Sequence, residues 1–259
     1  MPTTQAQFLP AHAGRFVGRW AVALLLGCCG LARALTPGAD LATLEREGRA
    51  QPLEAARAIE ALLPGVEQFS PQRLEMLTVL GLLLANATQP AAAENVAAGL
   101  DSWARARSDA EAAAAALLVR SRLVSRSGEL PRADKLASEA LQRLPTQAAS
   151  PMRFRFLLSQ ARLKDDMGRL EDAVRLYQEA MVLADGLGEA WRRADARSGL
   201  AYSYHQAGQS ERARALNDEA VTIAEQAQDW VGLARAHNVA SIILDAYDDA
   251  AGELRTMQL

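Results

Sequence analysis

The chain reads ARLKDDMGRLEDAVRLYQEA at residues 161–180 and AYSYHQAGQSERARALNDEA at residues 201–220. Both stretches have alanine at positions one and thirteen, glycine at position eight and the pair Glu-Ala at the end. On either side of the glycine, apolar and small residues recur at the three- to four-residue spacing of one helix face. Glycine commonly ends a helix because it adopts positive φ without steric cost. Each stretch therefore predicts a pair of helices joined by a tight turn.

The same register extends in steps of 40 residues through most of the chain. Small residues recur where the paired helices are expected to cross, because only small side chains let two backbones approach closely. Glycine recurs at the turn between the helices. The positions in this register are Gly81, Ser121, Ala161 and Ala201 in the first helices, Gly128, Gly168 and Gly208 at the turns, and Ala93, Ala133, Ala173, Ala213, Ala140, Ala180 and Ala220 in the second helices.

The register divides the chain into helical units. We predict a degenerate first hairpin at 35–73, in which Gly48 falls at the turn position but the segment after it is shifted by two residues. The array then occupies 74–259, with units at 74–113, 114–153, 154–193 and 194–233 and a partial unit at 234–259.

Local residue types predict where the helices begin and end. In the unit at 154–193, the first helix is expected over 154–167 and the second over 170–185, ended by Gly186 and Gly188. Ser210 is expected to cap the second helix of the next unit. Asp248 occupies the turn position of the last unit.

The residues that recur every 40 positions resemble the pattern of the tetratricopeptide repeat (TPR) family. The small residue of the family's first helix, its turn glycine and its two second-helix alanines match the positions given above, and Tyr204 meets its tyrosine-type position. The family's first-helix tryptophan is missing, and the period is 40 residues rather than 34. The resemblance implies an all-α fold, a solenoid of antiparallel helix pairs without a sheet. A generic α-solenoid or helical bundle is the alternative.

Composition and motifs argue against several functional classes. The net charge is −3, which argues against a protein that coats nucleic acid, and 5% aromatic content with few β-branched residues excludes an all-β domain. No catalytic or phosphate-binding motif occurs, so we predict no catalytic residue, no cofactor and no enzyme activity. His205 and His237 are 32 residues apart, and we interpret them as one groove residue and one packing residue rather than as a metal pair.

The first 34 residues have the features of a secretory signal peptide. They carry three arginines and no acidic residue, a short apolar run at 20–31 and the small-residue pattern Ala-Arg-Ala at 32–34. We expect cleavage after Ala34 and a periplasmic or secreted product, with an uncleaved buried helix as the alternative reading. The sequence Leu-Leu-Gly before Cys28 also resembles a bacterial lipobox, which would instead make a membrane-anchored lipoprotein.

The last predicted unit lacks a complete second helix. Apolar residues such as Ile242, Leu244 and Leu254 would then border an uncapped end of the array. We expect either a partner at this end, a second copy of the chain included, or further residues in a longer protein. The second case is similar to the extracytoplasmic TPR sensor region found ahead of GGDEF diguanylate cyclase domains, which a transmembrane helix follows, although no cyclase motif is present here.

The first helices are expected to line a concave groove, which the TPR resemblance implies as the binding surface. Arginine suits carboxylates, Asn and Gln suit peptide amides, and Tyr suits stacking. We therefore predict that the groove binds an extended peptide or protein tail and no nucleic acid. The predicted groove residues are Arg122, Arg126, Arg155, Arg162, Asp195, Tyr202, His205, Gln206, Arg235 and Asn238.

Overall fold

The computed structural model describes residues 39–144 and 150–257, with side chains as far as Leu244. This part of the chain contains α-helices and a single-turn 3₁₀ helix at Leu63–Gly65, and no strand, which confirms the predicted all-α class. The predictions for the leader at 1–34, including Cys28, lie outside the described residues. The α-helices are α1 (Leu41–Glu47), α2 (Pro52–Leu62), α3 (Pro71–Asn86), α4 (Pro90–Arg107), α5 (Ala110–Arg126), α6 (Leu130–Arg143), α7 (Pro151–Asp166), α8 (Leu170–Leu187), α9 (Ala190–Gln206), α10 (Ser210–Gln226) and α11 (Trp230–Met257).

The helices pack as consecutive hairpins, α1–α2 through α9–α10, followed by α11. The small residues of the register lie inside these hairpins, and the alanines at 93, 133, 173, 213, 140, 180 and 220 are all fully buried. A Cβ atom added at Gly81 would lie only 2.6 Å from Cγ2 of Val119. The first helices are therefore in close contact with their neighbours, as interiors packed to crystal-like density require.

Three of the turns between paired helices use glycine in the left-handed region. Gly128, Gly168 and Gly208 have φ values of +87°, +70° and +74°. After Gly168, the amide of Arg169 donates to the carbonyl of Lys164 at 2.8 Å, which satisfies a carbonyl at the end of α7. In the α3–α4 hairpin the corresponding residue is Thr88, which adopts a φ of +56° without being glycine.

The first helices begin three or four residues ahead of the predicted unit boundaries, at Pro71, Ala110, Pro151, Ala190 and Trp230. Capping explains two of these starts. The hydroxyls of Ser70 and Ser150 accept hydrogen bonds from the amides of Arg73 and Arg153, at 3.2 and 3.1 Å, and proline follows each serine. Proline is well accommodated there because the first helical amide has no partner within the helix.

Several local predictions at the turns are wrong. Gly186 lies within α8, and Gly188 ends that helix with a φ of +78°. Ser210 is the first residue of α10 and not its cap, since the cap position is Gln209. Gly48 lies at the predicted turn, directly after α1, but its φ of −63° is not in the left-handed region.

Two further features differ from the sequence pattern. A Cβ atom at position 48 would lie 2.5 Å from Cδ2 of Leu83, so glycine is required there for close approach to α3. Helix α11 continues through Asp248 to Met257, where a turn was predicted. Aspartate lacks the conformational freedom of glycine, and the alanines that follow it favour a helix.

A side chain from a second helix also reaches the first helices. The Tyr177 ring of α8 lies against Gly199 of α9, where an added Cβ atom would be 2.3 Å from its Cε1 atom. Tyr177 is fully buried, so the ring has little room to move away. Gly199 is therefore required by the position of Tyr177.

The difference between Thr88 and the turn glycines predicts opposite effects of two substitutions. We expect Thr88→Gly to raise the free energy of unfolding by about 1 kcal/mol, because a side chain disfavours positive φ. Gly168→Ala should lower it by a similar amount, for the same reason. Urea denaturation followed by far-UV circular dichroism would measure both, and a shift of the same sign in both variants would contradict the explanation.

The contact between Tyr177 and Gly199 predicts that Gly199→Ala lowers the free energy of unfolding by about 1–3 kcal/mol, because overpacking forces the ring to shift. Gly99→Ala is a matched control within α4, since an added Cβ atom there meets no described atom within 4 Å. That change should raise stability by about 0.5–1 kcal/mol, because alanine favours helix more than glycine. Equal unfolding midpoints for the two variants would exclude the proposed clash.

Candidate functional site

A cavity of about 110 Å³, lined by both charged and apolar side chains, opens on the concave side of the solenoid, where residues of α3, α5, α7 and α9 meet the N-terminal segment. We use the name concave cavity for this space. Six of the residues that line it are charged, four arginines and two acids, so positive charge is in excess. These residues are Glu45, Arg49, Arg122, Arg155, Arg162 and Asp195.

Asp195 is the buried anion on the inner side of the concave cavity. Its carboxylate accepts a hydrogen bond from Nη2 of Arg162 at 2.7 Å and another from Nη1 of Arg235 at 2.5 Å. Burial alone would raise the pKa of Asp195, but the charges of Arg162 and Arg235 outweigh it and hold the pKa below its usual range. Asp195 of α9 thus links α7 to α11 across the concave side.

Tyr177 and Asp165 extend this polar group. Burial raises the pKa of the Tyr177 hydroxyl, although the charges of Arg162 and Arg235 act in the opposite direction. Oδ1 of Asp165 accepts from the hydroxyl of Ser203 at 2.7 Å, and burial raises the pKa of Asp165. Tyr177 belongs to the second helix α8 and is fully buried, so it contributes to this polar group without lining the concave cavity.

Arg122 has no carboxylate within ion-pair distance among the described residues. Its Nε atom donates to Oδ1 of Asn86 at 2.6 Å. Burial and the repulsion of nearby Arg162 and Arg126 lower the pKa of Arg122 to about 10, so it stays protonated at neutral pH. A cation with a neutral partner, beside other cations, favours an incoming anion.

The N-terminal segment, residues 40–51, crosses the concave side and contacts the far end of the array. Glu45 on α1 accepts from Nε and Nη2 of Arg155 at 2.7 and 2.8 Å, and from Nη2 of Arg192 at 2.9 Å. Burial would raise the pKa of Glu45, but the two guanidinium groups outweigh it and lower that pKa. Glu45 is thus clamped between α7 and α9.

Arg49 makes a second connection from the same segment. Its Nη2 atom donates to Oδ2 of Asp229, just before α11, at 2.7 Å. The guanidinium also lies 5.0 Å from the ring centroid of Trp191, within the range of a cation–π contact. Glu45 and Arg49 of the N-terminal segment therefore contact residues at or near the N-terminal ends of three first helices, α7, α9 and α11.

The structure brings part of the predicted groove together. Arg122, Arg155, Arg162 and Asp195 line the concave cavity, and Arg235 joins them through Asp195. Of these, all but Arg122 already have ion-pair partners within the described chain, since Arg155 pairs with Glu45, and Arg162 and Arg235 pair with Asp195.

The other predicted groove residues lie outside the concave cavity. Arg126 is exposed at the end of α5, and Asn238 is exposed on α11. Tyr202, His205 and Gln206 lie near the end of α9, where Nε2 of Gln206 donates to the Tyr202 hydroxyl at 2.7 Å.

Sequence reasoning missed Glu45, Arg49, Trp191 and Arg192. The last two lie at the start of α9, ahead of the unit boundary predicted at 194, so they were assigned to the preceding unit. Glu45 and Arg49 come from the hairpin that was recognised only weakly. An N-terminal boundary placed at Glu189, which precedes a run free of Gly and Pro up to 198, would have included Trp191 and Arg192 in the first helix.

No group of three or more His, Cys, Asp or Glu side chains positioned to hold a metal ion occurs in the described part of the chain. Among the described helices, none combines the length and the apolar character needed to cross a bilayer.

Comparison with known proteins shows similarity to solved structures of low sequence identity. No family model and no curated protein matches the chain. Aspartyl phosphate phosphatase F from Bacillus subtilis is similar over 82% of this chain and 56% of its own, with 13% identity and a TM-score of 0.58. A signal transduction ATPase with a tetratricopeptide repeat sensor, from Pyrococcus horikoshii, matches over 81% of this chain and 34% of its own, with 18% identity and a TM-score of 0.55.

A Rap protein complexed with competence and sporulation factor is similar over 80% of this chain and 56% of its own, with 15% identity and a TM-score of 0.53. The chain thus spans between about a third and just over half of the length of these three proteins. At such identities the likeness concerns the fold alone. The chain has the fold of the TPR-like helical solenoids.

Proposed function

We propose that the chain is a non-catalytic protein-interaction module whose concave cavity takes a carboxylate-bearing segment of a partner protein. The observation that carries this proposal is Arg122, a cation bordering the cavity that is held by the neutral Asn86 and repelled by Arg162. A partner carboxylate beside Arg122 would relieve this repulsion.

The shape of the site favours a segment of protein over a free small molecule. The concave cavity is about 110 Å³, smaller than the roughly 300–1,000 Å³ of ordinary small-molecule pockets. Polar side chains continue along the same side of the array at Arg126, Tyr202 and Gln206. An extended peptide could therefore place one acidic side chain in the cavity and its backbone along the adjoining helices.

The comparison proteins give this proposal general support. One solved neighbour is a Rap protein in complex with competence and sporulation factor, so this class of fold can hold a partner. Solenoids commonly bind on their concave surface because the small rotation between repeats creates an extended concave face.

Export is part of the proposal and rests on the leader-like composition of residues 1–34. Fractionation of the cells, followed by N-terminal sequencing, would test it. A periplasmic or secreted product that begins at Leu35 supports cleavage after Ala34, and a membrane-bound product that begins at a lipid-modified Cys28 supports the lipoprotein. A cytoplasmic product that retains Met1 would contradict export.

The alternative, a sensor region of a diguanylate cyclase, requires the gene to continue past Leu259 into a membrane helix and a GGDEF segment.

Arg122→Ala tests the proposed site. We expect an array of twelve-residue peptides to show binding of Glu- and Asp-rich members and no binding of Lys-rich members. For the acidic peptides, Arg122→Ala should raise the Kd by about tenfold, because a hydrogen bond to a charged group contributes about 1.5–3 kcal/mol. Fluorescence anisotropy with the labelled peptides would measure this change.

Arg132→Ala is the matched control for that measurement. Arg132 lies on α6 of the same hairpin, 66% exposed, with an ion pair only to the nearby Glu129 in the described part of the chain. It should leave the Kd unchanged. Equal binding of acidic and basic peptides, or equal loss in both variants, would reject the concave site.

A further inference from the structure

We propose that the N-terminal segment, residues 40–51, is an intramolecular latch, and that Glu45 occupies the place where a partner carboxylate binds when the latch is displaced. This inference rests on the proposed function and adds to it a mode of regulation. The contacts that support it join residues more than one hundred positions apart, across the concave side of the array.

Of the two arginines that bind the Glu45 carboxylate, Arg192 is held by contacts outside the N-terminal segment. Arg192 is held in place by Glu189, one helical turn before it, and by the rings of Trp191 and Phe154, whose centroids lie 4.3 and 5.3 Å from its guanidinium carbon. Arg155 belongs to the same helix as Phe154. The position of Arg192 is therefore set by contacts with α7 and α9 that do not involve Glu45, and Glu45 joins it to the neighbouring Arg155.

The two arginines that bind Glu45 require an anion. The side chains of Arg155 and Arg192 are 4% and 1% exposed, so neither is well hydrated. Within the described residues, Nη1 of each is also buried without a hydrogen-bond acceptor. Departure of Glu45 alone would leave Arg155 buried without an ion-pair partner among the described residues, beside an Arg192 paired only with Glu189, which is strongly unfavourable. Exchange of Glu45 for another carboxylate is therefore favoured over simple opening.

The N-terminal segment itself is suited to leave. Helix α1 has seven residues, of which only Leu44 is buried, and a helix so short has little stability of its own. Its position depends on Glu45, on Arg49 paired with Asp229, and on Gly48 against Leu83. Loss of the ion pairs would therefore remove the long-range contacts of α1, while the buried alanines at 93, 133, 173 and 213 lie in hairpins to which α1 does not belong.

The concave cavity extends to the position of the Glu45 carboxylate. Glu45, Arg155 and Arg122 all line it, so an acidic segment that first pairs with Arg122 lies beside the Glu45 position. An internal occupant reduces the apparent affinity of any partner by the fraction of molecules in which the site is open. The latch thus sets the concentration at which a partner binds.

The test uses the full chain and a fluorescein-labelled peptide of sequence ADLATLEREGRAQ, which copies residues 39–51. We expect the Glu45→Gln protein to bind this peptide at least about tenfold more tightly than the wild type, because the internal competitor is weakened while Arg155 and Arg192 remain. A peptide with Gln in place of Glu45 should bind neither protein. Glu47→Gln is the matched control: it removes the same charge from α1, where Glu47 has an ion pair with the adjacent Arg46 at 3.7 Å, and it should behave as the wild type.

Hydrogen exchange provides a second measurement if Glu45→Gln does not fold, as judged by circular dichroism. In the wild type, an excess of the unlabelled peptide should speed exchange of the amides at 41–47 and leave those of α7 and α9 protected. Unchanged exchange at 41–47, or equal peptide affinity of the wild type and Glu45→Gln proteins, would overturn the latch.

The outcomes also separate the latch from the proposed function. If Glu- and Asp-rich peptides bind in a manner that depends on Arg122 while Glu45→Gln has no effect, the latch is wrong and the interaction module stands. If the Glu45→Gln protein binds the copied peptide but neither protein binds the acidic array, the latch stands as an internal contact and the partner chemistry proposed above is wrong.

Discussion

Close approach of the two helices in each hairpin is the constraint on which the rest of this structure depends. The alanines where paired helices cross are fully buried, and Gly81 and Gly199 have no room for a Cβ atom because Val119 and Tyr177 of the neighbouring hairpins lie against them. Such small residues bury little apolar area each, so an isolated hairpin gains little from its own interface. Its stability therefore comes from contacts with the neighbouring hairpins, as in other solenoids.

On the concave side, two of the contacts between hairpins share one form, a carboxylate held between two arginines of different helices. Glu45 lies between Arg155 and Arg192, and Asp195 lies between Arg162 and Arg235. In each case the carboxylate joins helices that belong to different hairpins. A partner that competes for one of these arginine pairs therefore also acts on the relative position of the hairpins.

The sequence predicted features that repeat along the chain, and it missed features that depend on how the repeats are stacked. The turn at Gly168 and the start of α8 at Leu170 agree with the pattern, because they follow from local conformational preferences. The contact between Glu45 and Arg155 spans 110 residues. Its existence depends on small rotations between hairpins, summed over several units, which residue spacing does not encode.

Sequence spacing likewise predicted some of the residues on the concave side and missed others. Spacing along one helix face identified Arg122, Arg162 and Asp195, which line the concave cavity. It missed Tyr177, because a tyrosine on a second helix approaches Arg162 only where Gly199 leaves space for its ring. It also assigned Arg155 to partner binding, whereas its Nε and Nη2 atoms already bind Glu45.

The use of arginine has a consequence for how this surface responds to acidity. The pKa values of Glu45 and Asp195 are held below their ordinary ranges, that of Arg155 is raised, and even that of Arg122 remains about 10. These groups therefore keep the same charge from about pH 5 to about pH 9. The stabilisation from ionised Glu45 is present above its unfolded-state pKa, and it is lost only as the pH falls through the lower folded-state value. Between about pH 5 and about pH 9, a change in pH alone therefore does not release α1. The N-terminal segment stays docked over this range, including in a compartment whose pH follows that of the external medium.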